Sequence, residues 1–162
     1  MNLTIRVAKP EDRETLQQLI VDIESEDHPE DPDAARSAPA GMKRSLLHYD
    51  ALGADSVWFL IAEVDENPAG LAILIRIPKL DRRVGFLYLD ELHVVQTWRR
   101  RGIGRALLER SFALCTELGL KGIRLLTRPD NLPARALYES VGFHANQTML
   151  YQKAIESEID ET

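Results

Sequence analysis

The sequence is poor in the features that staple a chain, anchor it in a bilayer or prepare it for a polyanion. One of its 162 residues is cysteine, Cys115, so no internal disulfide can form and a reducing cytoplasm is the expected home. No apolar run approaches the ~18 residues needed to cross a bilayer. The opening stretch, MNLTIRVAKPEDRE, is charged too early for a signal-peptide core, and no membrane partner is expected. Basic residues number 20 against 26 acids, a net charge of −6, which argues against nucleic acid as a partner. The four histidines show no metal-ligand spacing, so no metal is expected. Repeats and long low-complexity tracts are missing too.

What is present suits one domain with a buried core, at 44% apolar and 28% charged residues. The domain is expected over residues 1–154, followed by an acidic tail at 155–162. Leu3, Ile5 and Val7 alternate as in a strand. Pro10, Glu11 and Asp12 read as the first turn of a helix that continues through Leu16, Leu19, Ile20 and Ile23 to about residue 24. The acidic stretch ESEDHPEDPD (24–33) contains two prolines and predicts a loop; a second helix is predicted over 39–52, stopping at Gly53. VWFLIAEV (57–64) and GLAILIRI (70–77), joined by a turn at DENPAG, predict a hairpin, and VGFLYLDELHVV (84–95) a long strand. Ile103, Ala106, Leu107, Leu114 and Leu118 share one helical face that ends at Gly119. GIRLLT (122–127), residues 131–141 and TMLYQKAI (148–155) follow as strand, short helix and last strand. The order β-α-α-β-β-β-α-β-α-β gives an α/β class, α+β by a stricter count, with a right-handed crossover around 84–127.

One stretch stands apart in this acidic chain: WRRRGIGRALLE (98–109), with Arg99, Arg100, Arg101 and Arg105 around two glycines. It is not a phosphate loop of the GxxxxGK[ST] type, and Leu107 fills the place where a dinucleotide fingerprint needs a small residue. A strand, a short turn and glycines opening a helix remain. Exposed main-chain amides and the positive end of the helix dipole make that an anion site, and Gly102 and Gly104 let a phosphate approach the backbone.

R-x-x-G-x-G at Arg99, Gly102 and Gly104 resembles the acyl-CoA loop of the GNAT superfamily of N-acetyltransferases. NLPARALYESVGF (131–143) is similar to a second motif of that family, matched at Asn131, Ala134, Leu137, Tyr138, Gly142 and Phe143. The resemblance covers roughly residues 3–154. It implies a mixed central sheet of about six to seven strands flanked by about four helices, with acetyl-CoA as co-substrate and a primary amine as acceptor. It also implies that the amides of Arg100, Arg101, Gly102, Ile103, Gly104 and Arg105 bind the pyrophosphate, with the four arginines adding favourable field. The pantetheine arm would pair with main-chain groups of Leu92, His93 and Val94, next to a β-bulge that the sequence does not reveal. Dimers are common in the family.

The same resemblance assigns Tyr138 as the proton donor to the departing thiolate. A phenol near pKa 10 is protonated at neutral pH, and the leaving thiol resembles one of pKa ~8.5. Asn131 would hold the cofactor or cap its helix. The acceptor amine, with pKa ~10.4, must lose a proton, which costs roughly 4–5 kcal/mol at pH 7. Asp90 and Glu91 are the candidate bases and point to opposite faces of their strand. Polyamine acetyltransferases of the family place an acid at the position of Asp90, which ranks it first. Ribosomal-protein acetyltransferases use a glutamate where this chain has Leu126.

The stretch at 24–33 holds six acids (Glu24, Glu26, Asp27, Glu30, Asp31, Asp33) and His28. In the family this region borders the acceptor cleft, which predicts a cationic acceptor of polyamine or aminoglycoside type, a lysine-like amine or peptide being the alternative. His48, Tyr49 and His93 are further acceptor-side candidates. Cys115 reads as a buried thiol, not a nucleophile. A non-catalytic acyl-CoA sensor is the rival class, and Tyr138 argues against it.

Overall fold

Alternating apolar residues organise the centre of the chain. In the strand Val57–Val64 (β2), Leu60, Ala62 and Val64 pack toward one side of the sheet, and Phe59 and Ile61 toward the other. Both faces are buried, which is why VWFLIAEV reads as a nearly unbroken apolar run. The computed structural model describes residues 1–49, 52, 55–80 and 84–155, with backbone alone for 42–49. Its other strands are Leu3–Val7 (β1), Asn67–Ile77 (β3), Phe86–Val94 (β4) and Ile123–Leu125 (β5). They form one sheet in the order β1-β2-β3-β4-β5, antiparallel except for the parallel β4–β5 pair.

Helices cover both faces. Arg13–Asp27 (α1) buries Leu16, Leu19 and Ile23 against Phe59, Ile61 and Leu71. On the other face, Ile103–Glu117 (α3) packs Ile103, Leu107, Leu108 and Leu114 on Leu60, Ala72, Leu74, Leu87 and Leu89. Pro32–Tyr49 (α2) lies beside α1, and Leu132–Ser140 (α4) follows β5. Among the described residues no helix is long and apolar enough to cross a membrane.

Three expectations change. The acidic stretch is mostly helical: α1 runs on to Asp27, and α2 begins at Pro32. The Asp31 carboxylate caps α2 by accepting from the Asp33 and Ala34 amides at 3.0 and 3.3 Å. Pro32 is thus a first-turn helical proline instead of a loop residue. The hairpin turn is two residues, Asp65 and Glu66, both left-handed (φ 48° and 67°), so β3 starts at Asn67 rather than Gly70. Finally, five strands form among the described residues in place of about six to seven; β5 is confined to Ile123–Leu125, and residues 148–155 form no strand. The predicted end of the second helix near Gly53 and most of the acidic tail lie outside the described residues.

Candidate active site

The centre of the site is a break in β4. Ile73 of β3 pairs with Glu91 and Leu74 with Leu89, so Asp90 is an extra residue, a β-bulge. The insertion switches which side chains face which layer. Leu87 and Leu89 pack on the α3 side before the bulge, and Leu92 and Val94 do so after it. Glu91 and His93 are thereby placed on the α1 side, and Asp90 is exposed. β5 pairs only with Leu87–Leu89, so among the described residues the rest of β4 has no strand on that edge. A gap opens between β4 and β5 beyond residue 89.

Main-chain groups of β4 line this gap selectively. The His93 carbonyl faces β3, 2.7 Å from where a Cβ on Gly70 would stand. Alternation then turns the groups of Leu92 and Val94 toward the gap, and the Val94 carbonyl accepts from Arg99 Nε at 2.8 Å. Of the three residues expected to pair with a pantetheine arm, His93 is turned away and Val94 already has a partner.

Glu91 is half-buried. Burial, reinforced by the nearby charges of Asp27, Asp90 and Glu24, pushes its carboxyl up to about 7, against the pull of the Leu92 amide. Tyr138 of α4 lies within electrostatic reach. Its phenol is raised above its ordinary value by burial and then by the Glu91 charge. The ring meets Phe143 edge-on at 5.7 Å between centroids. The pair therefore joins a carboxyl that titrates near neutrality to a phenol that stays protonated.

The glycine turn follows β4. Arg100 and Gly102 both adopt left-handed conformations, φ 63° and 81°. The first main-chain bond of α3 is donated by Ala106 to the Gly102 carbonyl at 3.0 Å. The amides of residues 100–105 have no main-chain acceptor among the described residues, and a Cβ on Gly102 would meet nothing within 4 Å. This is an open cradle of donors at a helix N-terminus, fit for a pyrophosphate. Gly104 serves packing: a Cβ there would stand 3.0 Å from Leu137 Cδ2, so the glycine lets α3 approach α4.

The arginines are more committed than their clustering suggests. Arg99 pairs with Glu26 of α1, Arg101 lies over the Trp98 ring at 5.1 Å, and Arg105 donates to Ser140 Oγ at 3.0 Å. Of the four, Arg100 alone has no ion-pair, hydrogen-bond or aromatic partner among the described residues. Asn131 caps α4, its Oδ1 accepting from the Ala134 amide at 3.3 Å. His93 is buried; its Nε2 lies 4.0 Å from Glu26 and has no hydrogen-bond partner among the described residues, and burial holds its pKa below the ordinary value. Cys115 is buried and its thiol is raised by burial, unlike an activated nucleophile. The side chains of His48 and Tyr49 lie outside the described residues.

Sequence reasoning missed Trp98, Ser140 and the pairing of Glu26 with Arg99. The last spans 73 positions, and no local pattern announces it.

Residues 15–143 match the sequence profile of the acetyltransferase (GNAT) family. The chain belongs to the GNAT family of acetyltransferases. A 70-residue stretch is 40% identical to N-alpha-acetyltransferase 40 of Saccharomyces cerevisiae, covering 38% of this chain and 24% of that protein. The chain spans only about a quarter to a third of the length of the curated relatives it matches. An aminoglycoside acetyltransferase from an uncultured soil metagenomic sample superposes with a TM-score of 0.82 at 20% identity, over 96% of this chain and 100% of that one. A transcriptional regulator from Bacillus halodurans C-125 superposes at 0.75 and 20% identity, over 94% and 100%. Likenesses at this identity show the GNAT fold and leave the substrate open.

Proposed function

We propose that this GNAT protein moves an acetyl group from acetyl-CoA directly to the primary amine of a cationic small molecule of polyamine or aminoglycoside type. Bound acetyl-CoA would supply the thioester. The amides of residues 100–105, with Arg100 beside them, would hold its pyrophosphate, and the Leu92 edge of β4 would align its pantetheine arm. Glu91 takes the proton of the amine and Tyr138 gives one to the departing sulfur. The observation that supports this reading is the β4 bulge, which sets half-buried Glu91 beside the β4–β5 gap and within electrostatic reach of Tyr138.

Glu91 replaces Asp90 as the preferred base. Asp90 sits exposed on the bulge, whereas Glu91 is held half-buried under α1. The acids Glu24 and Asp27, at the end of α1 on the Glu91 side, favour a cationic acceptor.

Release of free CoA thiol from acetyl-CoA, followed against polyamines, aminoglycosides, a lysine peptide and a free N-terminal peptide, tests the proposal. Turnover with polycations supports it. Turnover with peptides alone retains the transferase and removes the small-molecule acceptor. Tight binding without release from any amine favours an acyl-CoA sensor.

A further inference from the structure

Glu26 stands where its own helix does least to favour it. It lies in the last turn of α1, where a negative charge opposes the helix dipole, and Glu24 and Asp27 crowd the same turn with like charge. Its carboxylate finds its partner across the fold. Oε2 pairs with Arg99 Nη2, and Oε1 stands 4.0 Å from the buried His93 Nε2, which has no hydrogen-bond partner among the described residues.

Arg99 is the joint between this acid and the donor cradle. Its Nε donates to the Val94 carbonyl at 2.8 Å while Nη2 meets Glu26, so the planar fork is held at two points. Its own amide closes the single turn Gln96–Trp98, donating to the Gln96 carbonyl at 3.3 Å. The cradle begins with the next residue. Arg100 and Gly102 are left-handed, and the amides of residues 100–102 donate to no main-chain carbonyl among the described residues. The side chain at the entrance of the cradle is therefore held from α1, 73 positions away in the sequence.

We propose that Glu26 is a positioning residue for coenzyme A: through Arg99 it straps the start of the pyrophosphate cradle to α1 and to the end of β4. This role rests on the CoA cradle of the proposed function, and it moves to the donor side an acid whose place in the sequence groups it with the acceptor-side acids. Strap and charge predict opposite signs. Removing a carboxylate near an anionic ligand relieves repulsion, so charge alone makes Glu26→Ala bind CoA more tightly. A lost strap makes the same variant bind more weakly. Arg99→Lys separates the two again, because lysine keeps the positive charge and lacks the fork that reaches Val94 and Glu26 together.

Isothermal titration of the intact protein with CoA reads the difference. Kd is expected to rise about fivefold or more in Glu26→Ala and in Arg99→Lys, and the double variant should bind no more weakly than the weaker single one. With an amine that turns over, KM for acetyl-CoA should rise in Glu26→Ala while kcat and the KM for the amine stay as in wild type. A Glu26→Ala protein that binds CoA as tightly as wild type, or more tightly, overturns the strap, as do single effects that multiply in the double variant. A rise in the KM for the amine alone also overturns it and returns Glu26 to the acceptor side. Should Glu26→Ala lose helical circular dichroism, Glu26→Gln, which keeps the side-chain shape and removes the charge, takes its place beside Arg99→Lys. A wild type that binds no CoA removes the cradle together with the strap, whereas equal binding by wild type and variants removes the strap alone.

Discussion

Replacing Glu91 with glutamine removes one proton acceptor and one buried charge, and the two effects have different pH signatures. As a base, Glu91 works only when ionised, so its contribution should rise with pH and level off above about 7. General-base catalysis contributes about 10²- to 10⁴-fold, and a loss of that order in kcat/KM is expected at pH 8. The acceptor amine also titrates, but it does so equally for both proteins, so the ratio of wild-type to Glu91→Gln kcat/KM isolates the carboxylate. That ratio should climb about tenfold per pH unit below 7 and flatten above it. Glu24 and Asp27 of α1, Asp90 of β4 and Tyr138 of α4 all face Glu91, and Asp27→Asn should move the bend to lower pH. Stability should respond in the opposite sense. A carboxyl raised from 4.5 to about 7 favours the folded state when protonated; that contribution is complete below 4.5 and lost as pH rises through about 7. The gap corresponds to at most about 3 kcal/mol, and solvent screening of a half-exposed side chain reduces it to about 1–2 kcal/mol. Glu91→Gln should therefore be more stable than wild type at pH 8 and no more stable at pH 4.5, by urea unfolding. A flat activity ratio from pH 5.5 to 8.5 would refute the base assignment, whatever the stability shows.

Tyr138→Phe keeps the contact with Phe143 and removes the proton, so kcat should fall about 10²-fold or more with KM nearly unchanged in steady-state assays. Gly102→Ala forces a side chain into a left-handed residue with open space around it; thermal unfolding should show a loss of about 1–2 kcal/mol from backbone strain alone. Gly104→Ala pushes on Leu137, and the double change with Leu137→Ala should recover part of the stability lost, read as a coupling in a double-mutant cycle. Arg6 joins Asp12 and Glu63, each at 2.8 Å, and this contact holds the Asp12 carboxyl below its ordinary value. Its stabilisation is present above pH 3.8 and lost as pH falls further, so Asp12→Asn should destabilise by about 1 kcal/mol at pH 7 and progressively less in acid.

Local chemistry was legible in the sequence and long-range pairing was not. The glycine turn and the Tyr138 helix are written in consecutive residues, so the order of residues alone is enough to place them. The prolines at 29 and 32 were misleading because proline marks a loop and a first helical turn alike, and the Asp31 cap decides between them. TMLYQKAI has a strand's alternation, but a strand exists only where an edge receives it, and no edge is encoded in the segment itself. The arginines show the same limit: their clustering is local, while Glu26, Trp98 and Ser140 decide what three of them do.

Asp90 shows how much one inserted residue can settle. Were Asp90 paired in the ladder as a regular strand residue, Glu91 would share the face of Leu87 and Leu89, inside the apolar layer under α3, where a carboxylate has no partner. With Asp90 bulged out of the ladder, the alternation in residue number reverses: Leu92 and Val94 fill that layer, and Glu91 turns under the acids of α1, partly desolvated and within electrostatic reach of Tyr138. The bulge falls at the point where β4 and β5 stop pairing, so the gap that would admit a pantetheine arm begins beside the carboxyl that would serve the amine. On the proposed function, Asp90, ranked first as a base from sequence, would contribute through its backbone. Asp90→Asn should change activity far less than Glu91→Gln; deleting residue 90 would make Leu89 and Glu91 strand neighbours and keep Glu91 on the α1 face, so any loss of turnover would come from the straightened strand and not from a misplaced carboxyl.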